Sequence, residues 1–90
     1  MVTMQKSVMI YAYRRRDLMA QTAEIFAKNL KIIRLARKLS RRKLAARVGI
    51  HKSSIDRYEA GTRQPDLNTI KALAEALHCS VADLFGEGLI

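Results

Sequence analysis

Between Leu39 and Gly61 the apolar positions of the chain fall into two short helical registers that meet at a glycine. Leu44, Ala45 and Val48 share one face of the first register. Ser40, just ahead of them, can accept a hydrogen bond from a free N–H of the opening turn, which predicts a helix start. Gly49 follows directly, where a chain leaving a helix often needs a positive φ that costs any residue with a Cβ more than it costs glycine. A corner is therefore predicted there. Ile50 is an apolar anchor just beyond it, and Ile55, Tyr58 and Glu59 recur at helical spacing until Ala60-Gly61 closes the second helix. Ala45 is small, as it must be where two helices cross closely. Lys52, Ser53, Asp56 and Arg57 share the opposite face of that second helix, so one side packs while the other offers charge and hydrogen-bonding groups.

The run LSRRKLAARVGIHKSSIDRYEAG resembles the helix-turn-helix of the Cro and phage-repressor family, the lambda-repressor-like or XRE domains. The resemblance extends from about Leu30 to Phe85. Leu30, Ile33 and Arg34 look like that family's first helix; Ser40, Leu44, Ala45, Val48 and Gly49 its second; Ile55, Tyr58, Glu59 and Gly61 its third. Pro65 follows at the expected place. Leu67, Ile70, Leu73, Ala74 and Leu77, capped by Asp66, look like its fourth helix, and Ser80, Val81, Leu84 and Phe85 like its short fifth. The implied fold is all-α, a five-helix lambda-repressor-like DNA-binding domain over residues 25–86, with an N-terminal extension at 1–24 and a tail at 87–90.

The resemblance also implies a function: sequence-specific binding of double-stranded DNA by a transcriptional regulator. The expected form is a repressor, a homodimer on a palindromic operator with the third helix in the major groove. Residues at the start of that helix then reach base edges, which maps onto Lys52, Ser53 and Arg57, with Asp56 in second rank and His51 at the capping position. Arg57 has the fork geometry for guanine O6 and N7, and Lys52 can reach the same acceptors as a point charge. Arg41, Arg42, Thr62, Arg63, Gln64 and Asn68 fall where the family grips the phosphate backbone, which fixes register without reading sequence. Arg34 and Glu59 match a structural ion pair between the first and third helices. The opening of the second helix departs from the family. Arg41, Arg42 and Lys43 open the second helix, where the positive end of the helix dipole favours Asp or Glu, and a nearby phosphate would turn that misfit into an anion site.

Charge supports a polyanion partner and narrows the remaining classes. Of the net +9 on 90 residues, residues 28–63 hold 12 Lys or Arg against Asp56 and Glu59, while residues 64–90 are net acidic. A localised basic block is the footprint of a nucleic-acid binder rather than of a uniformly solubilised surface, although a solvated charge run gives the same count. Cys79 is the only cysteine, so no internal disulfide can form, and His78 beside it lacks the further ligands a zinc site needs. There is no phosphate-cradling Gly-x(4)-Gly-Lys loop. No enzyme activity, cofactor or metal is expected.

The first 25 residues fit the family least. Val8 to Tyr13, VMIYAY, is apolar and β-leaning but too short to span a membrane. Its basic cluster, Arg14-Arg15-Arg16, follows rather than precedes the apolar run, unlike a secretory signal. A cytoplasmic protein, nucleoid-associated through DNA and without membrane contact, is expected. The segment reads as an edge strand for a second subunit, an arm on the domain, or a disordered leader before a start at Met19. Ile25, Ile32 and Leu35 form a second apolar stripe away from the predicted core. Either the arm or Leu84, Phe85, Leu89 and Ile90 could join two subunits. A protein partner such as a toxin or co-regulator is compatible with a chain lacking a sensor domain. The alternative is a protein-interaction or bridging module of the same fold with only non-specific DNA contact. An RNA target is a further option, but the chain lacks an aromatic stacking platform for single strands.

Overall fold

In a computed structural model that describes residues 21–86, every regular element is a helix. The chain runs α1 (21–36), α2 (Arg41–Val48), α3 (Lys52–Ala60), α4 (Leu67–Ala76) and α5 (Val81–Phe85). The VMIYAY run and the tail lie outside the described residues. α1 reaches back at least to residue 21, across the 24/25 boundary drawn from the sequence. The reason is an apolar stripe of Phe26, Ala27, Leu30 and Ile33, all buried, that starts a turn before Leu30.

Four helices end in the same way. Their chains leave through a residue in the left-handed region: Lys38 (φ 58°), Gly49 (φ 80°), Gly61 (φ 75°) and His78 (φ 53°). In each case the N–H one residue further on returns to a carbonyl five residues back, as in Leu39 to Arg34, Ile50 to Ala45, Thr62 to Arg57 and Cys79 to Ala74. This closure satisfies carbonyls that a helix end otherwise leaves unpaired. The starts are capped as the composition suggests. Ser40 accepts from Lys43 N–H, Asp66 accepts from Thr69 N–H, and Ser80 and Asp83 exchange reciprocal bonds at the head of α5. His51 occupies the cap position of α3 but makes no side-chain cap bond, a departure from the capping role expected of it.

The core joins all five helices. Leu30, Leu44, Ile55, Leu73, Leu77 and Leu84 are fully buried, α2 packs on α3 and α4, and α4 packs on α5. Phe26 stacks on Phe85 at a 5.2 Å ring separation, which fastens α1 to α5. Leu84 therefore belongs to the core and is not available to join subunits, contrary to one expectation from the sequence. Leu67 begins α4 at the surface. It is 60% exposed because it holds the first position of α4, a turn ahead of the buried stripe Ile70, Leu73, Ala74. Ile32 and Leu35 do face outward, at 37% and 55% exposure, off the buried stripe of α1.

Two polar side chains tie helix ends together across the sequence. Asn29 is wholly buried, and its Nδ2 lies 2.6 Å from the Gly86 carbonyl, with those of Leu84 and Asp83 at 3.2 and 3.3 Å. It thus closes the exit of α5. Arg37, at the end of α1, donates to the carbonyls of Leu77 (2.7 Å) and His78 (3.2 Å), placing a cation on the negative end of α4. Cys79 packs half-buried against the core, and burial, aided by the Asp83 charge, pushes its thiol up from the ordinary cysteine value. It stays a protonated packing group at neutral pH.

Candidate nucleic-acid interface

The corner at Gly49 sets the pose of α3. Gly49 donates to Ala45 O at 2.8 Å, and a Cβ placed on it would meet nothing within 4 Å, so the backbone angle and not space demands glycine. Beyond the corner, Ile55 and Tyr58 turn inward and Ala45 of α2 is buried at the crossing. Residues four apart lie on one face of a helix. Lys52 and Asp56 form one such pair, Ser53 and Arg57 the next. Lys52, Ser53 and Arg57 are exposed and Asp56 is half-buried. The four base-reading candidates thus occupy the outer side of α3, opposite its packed side.

Of these, Lys52 is engaged by Asp56, whose Oδ2 accepts from Nζ at 3.1 Å. Arg57 has no ion-pair partner among the described residues and is exposed on the second turn of α3. The backbone-gripping candidates divide in the same manner. Arg42, Arg63, Gln64 and Asn68 are exposed without such a partner among the described residues. Thr62 is exposed, with its hydroxyl donating to the Arg57 carbonyl at 3.3 Å. Arg41 is different. Its Nε donates to Glu59 Oε1 at 3.1 Å and its Nη1 faces Asp56 Oδ1 at 3.5 Å.

That arrangement gives a second account of the cation at the head of α2. The helix dipole disfavours Arg41, but two carboxylates of α3 stand beside it. Beneath them lies the ion pair that the family resemblance implies. Arg34 donates from Nε and Nη2 to the two oxygens of Glu59, the second at 3.0 Å, and from Nη1 to the Leu39 carbonyl at 2.8 Å. The Arg34 and Glu59 side chains are 7% and 2% exposed. A carboxylate shared by two guanidinium groups therefore links α1, α2 and α3 directly under the outer face.

Three participants had no clear signal in the sequence. Asn29 could have been noticed as a polar residue on the apolar side of α1, between Phe26 and Ile33. Arg37 looked like one more member of a basic block. The pairing of Arg41 with Asp56 and Glu59 depends on how α2 and α3 cross, which spacing alone does not fix. Among the described residues no cluster of His, Cys, Asp and Glu could hold a metal ion, and no helix is long and apolar enough to cross a membrane.

A family model described as Helix-turn-helix (HTH_3) matches residues 30–84, from mid-α1 through α5. The chain belongs to this helix-turn-helix family. Within it, a relative from Sinorhizobium fredii (strain NBRC 101917 / NGR234), an uncharacterised HTH-type transcriptional regulator called y4dL, is 36% identical over 63 residues. The match covers 70% of this chain and 32% of that protein, so the chain spans about a third of the relative's length. Among solved structures, the restriction-modification controller protein C.AhdI from Aeromonas hydrophila superposes with a TM-score of 0.68 at 33% identity, over 70% of this chain and 96% of that one. A hypothetical transcription factor from Neisseria, NHTF, superposes at 0.69 with 22% identity over 72% and 75% of the two chains, and shares the fold. This helix-turn-helix is thus held by the Gly49 corner and by the Arg34–Glu59–Arg41 group.

Proposed function

We propose that the chain is a sequence-specific double-stranded DNA-binding transcriptional regulator, acting as a repressor with α3 in the major groove. The observation that carries this reading is the outer face of α3. Lys52, Ser53 and Arg57 stand exposed on a helix whose other side is buried and whose entry angle is set by the αL glycine. Membership of the helix-turn-helix family and the names of the relatives support it. Arg57, without an ionic partner among the described residues, is the main base reader and prefers a guanine, with Lys52 and Ser53 beside it. Arg42, Arg63, Gln64, Asn68 and the backbone around Thr62 fix register on phosphates.

Two copies act together on a palindromic operator, since helix-turn-helix dimers set their reading helices about 34 Å apart about a two-fold axis. The setting is cytoplasmic, on the nucleoid. Selection of bound fragments from random duplexes, with stoichiometry measured on the winner, tests all of this at once. An inverted repeat bound by two chains is expected. Sequence-blind binding, together with a stoichiometric protein partner in pull-down, would replace the reading with that of a bridging module.

A further inference from the structure

Asp56 is the odd member of the outer face of α3, because a carboxylate there repels the phosphates that a basic surface attracts. Its two oxygens are both committed to cations of that surface. Oδ2 takes Lys52 Nζ at 3.1 Å, while Oδ1 lies 3.5 Å from Arg41 Nη1, shielded from solvent and without a hydrogen bond. Arg41 is held a second time by Glu59. Two cations beside the reading position are thereby tied to one acid, and Arg57 alone of the α3 cations is left without an ionic partner among the described residues.

Resting on the DNA-binding reading above, we infer that Asp56 determines specificity by refusal. It holds Lys52 and Arg41 back from phosphates and puts a negative charge toward the groove floor. In the major groove guanine and thymine present acceptors to it, whereas cytosine N4 and adenine N6 present an amino hydrogen that a carboxylate can accept. Sequences with an amino group opposite Asp56 are accepted and others are rejected electrostatically. Exposed ion pairs are weak, so the tether to Lys52 opens easily when such a base is offered.

The test compares the parent with Asp56→Asn on a random-sequence duplex and on the selected operator across a salt series. Glu75→Gln, which removes the same charge from an exposed position of α4, serves as the reference. Asp56→Asn is expected to bind the random duplex several-fold more tightly at low salt. Its log–log salt slope should steepen by about 0.9 for each cation released, hence by about 0.9 to 1.8 in all. Its operator-to-random affinity ratio should fall by about tenfold, the size of one base contact. Random-duplex binding that is unchanged or weaker in Asp56→Asn overturns the inference, as does a Glu75→Gln variant that reproduces the whole effect through net charge. Absence of salt-dependent binding by the parent to any duplex overturns the DNA-binding reading itself, and this inference with it.

Discussion

Glu59 is the residue at which α1, α2 and α3 are joined by charge. With its side chain 2% exposed and both oxygens occupied by arginines, its replacement by Gln leaves two cations short of their counter-charge in a nearly sealed site. Breaking such a pair costs about 3–5 kcal/mol. In a domain this small that lowers the melting temperature by more than about 10 °C, readable by circular dichroism. A Glu59→Gln variant melting with the parent would contradict the account. Lys38 and His78 make the opposite case. Each holds a φ that favours glycine, at 58° and 53°. Glycine there relieves about 1–2 kcal/mol of left-handed strain against an unfolded-state entropy loss of about 0.4–1 kcal/mol. Lys38→Gly should therefore melt a few degrees higher, whereas Gly49→Ala should melt lower even though its Cβ would meet nothing. The contrast also marks what single residues disclose. Gly49 and Gly61 advertise their corners because glycine is the residue chosen when φ must be positive. Lys38 and His78 adopt the same backbone with no compositional trace, and only their hydrogen bonds identify them.

Helices declared themselves in proportion to how cleanly their apolar faces were separated. α2 and α3 were legible from a few residues each, with Ser40 and the two glycines as punctuation. α4 is legible from Asp66 and the stripe Ile70, Leu73 and Ala74, while Leu67, apolar at the first helical position, has no turn before it to pack and stays exposed. α1 was legible only from its middle. It carries two apolar stripes, and the buried one, Phe26 to Ile33, competes in the sequence with Ile25, Ile32 and Leu35. The caps make a prediction at this scale. Asp66 is held below the usual carboxylate range by its bonds to Thr69, and Asp83 by its bonds to Ser80. A carboxyl depressed in the folded state contributes stability above its unfolded value, about pH 3.9, and that contribution is lost as pH falls through the lower folded value. Stability should therefore be level through neutrality and decline below about pH 4. Asp66→Asn keeps a capping oxygen but has no proton to take up, so its melting temperature should fall less between pH 7 and pH 3 than the parent's. An equal fall would show that the cap carboxylate carries none of the acid sensitivity.

For the molecule as a whole, the basic block seen in the sequence resolves into cations with different duties. Arg34 and Arg37 hold helices together, Arg41 is tethered, and Arg57 and Arg42 stand exposed without an ionic partner among the described residues. The sequence showed the net charge of the block, but not this division, which follows from which side chains the crossing of α1, α2 and α3 brings within reach. Arg57→Ala should relax base preference while binding of random duplex changes little, since a base contact discriminates by about 1–3 kcal/mol. Arg42→Ala should weaken binding alike on all sequences and reduce the salt slope by about 0.9. Competition binding across operator variants at fixed salt separates the two, and uniform loss in Arg57→Ala would remove it from base readout. Ser53 and Arg57 project from α3 without a side-chain bond to the scaffold among the described residues. Changes at these two positions leave the buried framework untouched, so a lineage can drift from one target sequence to another, or a designer can reprogram it, without first rebuilding the protein that carries them.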